Sequence, residues 1–189
     1  PVINGTVTYG NVIGTPTPRF VPDVVINANG SPLVSDTTDG SGAYSLTGFG
    51  SGTYIVTASK TGGVNSSVSS FDAGLVARHA VSTIQLNPVQ QIVADTSGDG
   101  TISSFDAGQV ARYAVGLQTI IGSSGTWRFN PANRTYLSVT SDISGEDYGA
   151  LLMGEVSGNW TNGLGGRLAN GPERNSTVSA PYLVTPADN

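Results

Sequence analysis

Apolar and polar residues alternate along "INGTVTYG", from Ile3 to Tyr9. That period of two predicts a half-buried strand. Four further β-favouring segments follow: Val24 to Ala28, Leu33 to Asp36, Ala43 to Leu46 and Tyr54 to Ser59. The turn formers "NANG", "DGSG" and "GFGSG" separate them. Short strands at such spacing predict an antiparallel β-sandwich over 1–60. "TPTPRFVP", from Thr15 to Pro22, is punctuated by proline and reads as a loop rather than a central strand.

The period then changes. In "SSFDAGQVARYAV", Ala107, Val110, Ala111 and Ala114 recur at i, i+3, i+4 and i+7, which predicts one buried helix face. Ser103 or Ser104 can cap its start and Gly116 its end. An earlier copy places Ala73, Val76, Ala77 and Ala80 in the same pattern. "DISGEDYGALLMGEVSG" sets Ile143, Ser144, Asp147, Leu151 and Leu152 against Ile102, Ser103, Asp106, Val110 and Ala111. This predicts a third, degenerate repeat helix within 118–160. "GTWRFNPANRTYLSVT" returns to strand character, so these later strands are candidates to rejoin the sandwich. A glycine-rich linker and a C-terminal strand, "STVSAPYLVTPADN", are expected over 161–189.

The loop before the second helix carries chemistry. Counting from Asp95, positions 1, 3, 5, 7, 9 and 12 are Asp95, Ser97, Asp99, Thr101, Ser103 and Asp106, with Gly100 at 6. This is the spacing of a calcium loop: alternate oxygens turn inward, a glycine permits the sharp bend and an acid closes the set. Ca²⁺ is favoured over Mg²⁺ because the donors are many and flexible. Ile102 at position 8 is the apolar residue expected to meet the partner loop. In the earlier copy the matching positions are Thr61, Gly63, Asn65, Ser67, Ser69 and Asp72. With most of its acids gone, that copy reads as a structural relic, or else as a weak site of Asn65, Ser67 and Asp72.

Two resemblances follow from these residues. "GTVTYG…VPDVVINANG…SDTTDGSGAYSLTGFGSGTYIVTASKTG" resembles the carboxypeptidase regulatory-like (transthyretin-like) β-sandwich family, over about a third of the chain. "ADTSGDGTISSFDAGQVARYAVG" and its twin resemble a type I dockerin repeat pair over 61–117. The first implies a non-catalytic spacer or adhesion element. The second implies bound calcium and a cohesin-like partner met by Ser70, Phe71 and Arg78, and by Ser104, Phe105 and Arg112. Phe71 and Phe105 are bulky and apolar, and the competing reading places them in the core.

Composition narrows the function classes. Of 189 residues only 8 are basic, the net charge is −5 and there is no cysteine. No basic stripe is present to displace counterions from nucleic acid. No apolar run is long enough to span a bilayer. Low charge with abundant Thr, Ser, Gly and Asn points to an extracellular setting. The chain opens on Pro1, which reads as a mature or excised piece. His79, the lone histidine, aligns with Tyr113 of the other copy, so it is a poor triad member. Asp142, Glu146 and Asp147 lie too close together in sequence to suggest a glycosidase pair. The chain is therefore expected not to be an enzyme.

Asn-x-Ser/Thr sequons occur at Asn4, Asn29, Asn65, Asn133, Asn159 and Asn175, and Thr15 and Thr17 sit among prolines. All but the loop residue Asn65 are candidate carriers of covalent glycans. The combined expectation is a calcium-binding structural protein of the cell surface. It would assemble with other copies of itself into a filament or matrix, in part through strand donation by its C-terminal segment. Docking to a cohesin-like protein is one alternative. Carbohydrate binding by a platform of Trp127, Trp160, Tyr136 and Tyr182 is the other.

Overall fold

The computed structural model describes residues 1–12, 18–117 and 122–163. Thr15, Thr17, Asn175, Tyr182 and the expected C-terminal strand lie outside these residues. The described residues are mainly β, with two four-stranded sheets and three helices.

The first five strands fall close to the expected positions: β1 (Val2–Tyr9), β2 (Val25–Asn29), β3 (Val34–Thr37), β4 (Ala43–Thr47) and β5 (Tyr54–Ser59). Burial alternates along β1, with Ile3, Val7 and Tyr9 inward. Three helices follow: α1 (Ser70–Ala80), α2 (Pro88–Ala94) and α3 (Ser104–Ala114). The chain then returns to strand as β6 (Trp127–Asn130), β7 (Arg134–Tyr136) and β8 (Tyr148–Leu152).

One sheet has the order β4-β1-β8-β6 and the other β3-β2-β5-β7. The later strands thus complete both sheets. The pairing is antiparallel except between β1 and β8, which run parallel with Val7 opposite Tyr148. A wholly antiparallel arrangement was expected. The parallel pair arises because β8 arrives after a long crossover rather than a hairpin.

The third repeat helix does not form. Tyr148, Ala150 and Leu152 are buried at a period of two, and they fill the space beside β1. Asp147, expected to close a degenerate loop, instead accepts the Thr6 backbone N–H at 2.7 Å and its hydroxyl at 2.9 Å. It thereby fixes the start of the parallel pairing.

Helices and sheets share one buried cluster. Val76, Val93 and Val110 belong to it, as do Ile3, Ile26, Leu46, Val56 and Leu152. α1 packs against α3. The buried stripe of the pair is narrower than expected. Ala73, Val76, Ala107 and Val110 are buried, Ala80, Ala111 and Ala114 are half-buried, and Ala77 is exposed.

A candidate calcium loop and its converted twin

α2 delivers the acidic loop. Asn87 caps it in a box with Gln90, Pro88 occupies the first turn, and Asp95 is its C-cap. The loop then winds around its own carboxylates. Asp95 Oδ1 accepts the Gly98 N–H at 2.8 Å and the Ser97 hydroxyl at 3.2 Å, while Oδ2 accepts the Gly100 N–H at 3.0 Å. Asp99 Oδ1 accepts the Thr101 N–H at 2.8 Å and its hydroxyl at 2.6 Å. Gly98 and Gly100 have φ of 77° and 84°, a left-handed conformation that side chains disfavour.

Asp106 closes the loop from the first turn of α3. Its Oδ1 accepts the Ser97 N–H at 2.8 Å. Its Oδ2 accepts the Ser103 N–H at 2.9 Å and hydroxyl at 3.0 Å, completing a capping box. Asp106 is fully buried, which by itself would raise its carboxyl. The N–H groups of Ser97 and Ser103 outweigh that and hold it below the usual range. The Thr101 hydroxyl and N–H likewise lower the exposed Asp99.

The donor set is therefore of hard oxygens, as a group-two cation requires, and the three acids lie on one short loop. Among the described residues, however, no group of three or more His, Cys, Asp or Glu is gathered as around a metal ion. Each carboxylate is turned to loop N–H and hydroxyl donors. Asp99 is the most open of the three, and Asp106 lies near enough for its charge to oppose ionisation of Asp99. Donor chemistry and glycine placement fit Ca²⁺. Ile102 is half-buried against the common core.

The twin loop has the same cap but different partners. Ser69 and Asp72 form the capping box of α1, with Asp72 Oδ2 accepting the Ser69 N–H at 2.8 Å. Its Oδ1 accepts the N–H groups of Val156 at 2.9 Å and Ser157 at 2.8 Å. The Ser67 hydroxyl is turned to Val64 O at 2.6 Å, and Asn65 Nδ2 donates to Thr161 O at 2.8 Å. The carbonyls of Gly62 and Gly63 accept the indole N–H groups of Trp127 and Trp160, each at 2.8 Å. Of the expected weak-site residues, Asn65 and Asp72 thus tie the loop to residues 156–161, while Ser67 closes on Val64 within it.

The remaining expected residues fall as follows. Phe71 and Phe105 are not core residues; they are 63% and 57% exposed. Ser70, Arg78, Ser104 and Arg112 are exposed beside them on α1 and α3. Among the described residues, Trp127, Trp160 and Tyr136 do not line up as an exposed platform. Trp160 is buried with Tyr9 against it, and Trp127 packs edge-on to Trp160. Tyr136 is half-buried. Among the sequons, Asn29, Asn133 and Asn159 are exposed and Asn4 is half-buried on β1.

Sequence reasoning missed Glu155. It is fully buried and accepts from the Tyr9 hydroxyl, from Asn11 Nδ2, from the Ser157 hydroxyl at 2.9 Å and from the Asn159 N–H at 2.9 Å. Desolvation raises both the Glu155 carboxyl and the Tyr9 phenol. Nearby, Arg19 donates to the carbonyls of Gly158 and Trp160. The only local signal was an acid inside the small and apolar run "LLMGEVSG".

No protein-family model, no curated protein and no solved structure matches this chain.

Proposed function

We propose that the protein is a non-catalytic, extracellular, calcium-binding structural module. In this reading the two sheets form a transthyretin-like sandwich, and α1 and α3 form a dockerin-like repeat pair. One observation carries it: the Asp95–Asp106 loop is wound on three carboxylates, while the matching Asp72 is spent on the N–H groups of Val156 and Ser157. Asp95, Ser97, Asp99, the Thr101 carbonyl, Ser103 and Asp106 would hold the ion. Bound Ca²⁺ would supply positive charge shared among these oxygens, and it would stabilise the folded state by mass action. Titration calorimetry tests this. Wild type binds one Ca²⁺ tightly and Asp99→Ala loses that site; unchanged binding rejects the assignment.

Within that reading the chain is a subunit of a cell-surface filament or matrix. Two features support it. The segment after Gly171 has strand-like sequence. At the β4 edge the Ser45 N–H is taken by Asp36 Oδ2 at 2.6 Å, which favours β6, the opposite edge of that sheet, for an incoming strand. Deleting the residues after Gly171 should leave a folded monomer. Polymers that persist in the truncated protein reject strand donation.

A second reading has its own support. Phe71 and Phe105 are exposed at equivalent places on α1 and α3, with Ser70, Ser104, Arg78 and Arg112 around them. Such a surface suits a cohesin-like protein. Capture by immobilised cohesins that is lost with a chelator would favour it over self-assembly.

A further inference from the structure

The sequons differ sharply in what the folded chain does with them. Asn4 lies on β1, between β4 and β8. Its Gly5 has no room on one side, since a Cβ there would sit 2.4 Å from Glu146 O. The Thr6 hydroxyl of that sequon is already donated to Asp147. At Asn29 the middle residue, Gly30, lies under the Tyr54 ring, and Pro32 follows the Ser31 hydroxyl. Asn65 spends its amide on Thr161 O, and its Ser67 is buried. At Asn159 the middle residue is the buried Trp160, Arg19 holds the carbonyls on both sides, and the Asn159 N–H is held by Glu155.

Asn133 is unlike these. "Asn133-Arg134-Thr135" enters β7, an edge strand of its sheet. Alternation turns Asn133 and Thr135 to solvent and Arg134 inward. Neither exposed side chain has a hydrogen-bond partner among the described residues. Arg134 pins the strand from below. Its Nη1 lies 2.7 Å from Glu146 Oε2, its Nη2 donates to Asp147 O at 2.6 Å, and its guanidinium lies over the Tyr148 ring. The folded protein thus presents the unpaired amide and hydroxyl of an Asn-x-Thr acceptor on one solvent face of an edge strand.

We propose that Asn133 is an N-glycan acceptor that stays competent after folding. The donor class is a lipid-pyrophosphate-linked oligosaccharide. Asn133 Nδ2 bonds to the anomeric carbon, and the anomeric carbon–oxygen bond to the pyrophosphate breaks. The lipid pyrophosphate leaves with the electron pair, and the amide proton passes to a carboxylate base of the transferase. The sugar would project from the outer face of the β3-β2-β5-β7 sheet.

The test uses the full chain carrying Asn175→Gln, so that only sequons of known placement report. Folded protein is incubated with a purified oligosaccharyltransferase and a lipid-linked oligosaccharide, then mapped by peptide mass spectrometry. The expected product carries one oligosaccharide, on the peptide containing Asn133. Asn133→Gln and Thr135→Ala each abolish it while leaving the circular dichroism spectrum unchanged. The same chain unfolded in urea and quenched into the reaction gains sugar at further sequons. No transfer to folded protein, transfer elsewhere with Asn133 bare, or the same pattern folded and unfolded would each overturn the proposal.

Discussion

Replacing Asp72 with Ala should destabilise the protein with or without calcium. The carboxylate is fully buried and accepts four hydrogen bonds, from the Ser69 N–H and hydroxyl and from the N–H groups of Val156 and Ser157. Removing it strands the buried Val156 N–H away from water, at about 1–3 kcal/mol before relaxation, while the half-buried Ser157 N–H can turn to water. Loss of the α1 capping box adds about 1 kcal/mol. The expected total is about 2–4 kcal/mol, or a melting temperature lower by roughly 4–16 °C for a chain of this size. Asp106→Ala is the control. Its donors, Ser97 and Ser103, are only half-buried and can turn to water, so in chelator it should cost about 1–2 kcal/mol. Urea unfolding of both variants, with calcium and with chelator, measures the contrast. Calcium should widen the gap between wild type and Asp106→Ala and leave the Asp72→Ala deficit unchanged. An Asp72→Ala deficit below about 1 kcal/mol, or one that vanishes in chelator, refutes the claim that Asp72 serves the chain rather than an ion. Asp72→Asn keeps one acceptor oxygen and should fall between the two.

Two further outcomes follow from the core. Burial holds the Glu155 carboxyl above its ordinary value of 4.5, with Asp72 nearby opposing ionisation. The folded state therefore keeps a proton that the unfolded chain releases, and this contribution to stability is lost as pH rises from about 4.5 through the raised value. Glu155→Gln should remove that decline in denaturant titrations run from about pH 5 to about pH 8, and identical pH profiles would count against it. Gly5→Ala would place a Cβ 2.4 Å from Glu146 O, a backbone atom. It should cost at least about 1–3 kcal/mol by overpacking, and an unchanged thermal melt would show that the β1–β8 junction is slack.

What was legible in the sequence was mostly local. Alternation placed β1 to β5 within a residue or two, and the period of 3.6 with Ser caps placed α1 and α3. α2 is too short to declare a period, and its Asn87–Pro88–Gln90 cap went unread. β8 was mistaken for a repeat because Asp147 matched a loop-closing acid, although Tyr148, Ala150 and Leu152 already alternated. What decides that element is pairing with β1, far away in the chain, which no local window contains. The fate of the twin loop was hidden for the same reason. Its acids are missing, but the groups that took over, Trp127, Trp160 and the 156–161 backbone, are distant in sequence. Phe71 and Phe105 could not be placed by pattern, since both copies carry the same residues and nothing local separates core from surface.

The run from Glu155 to Thr161 has a mechanical meaning. Along it the chain is buttoned to β1 through Tyr9, to the loop after β1 through Asn11 and Arg19, to α1 through Asp72 and to the twin loop through Gly63 and Asn65. A pull applied beyond Gly163 would not peel β8 away one pair at a time. It would meet these fastenings first and spread the force into β1, α1 and the twin loop before β8 could leave its place.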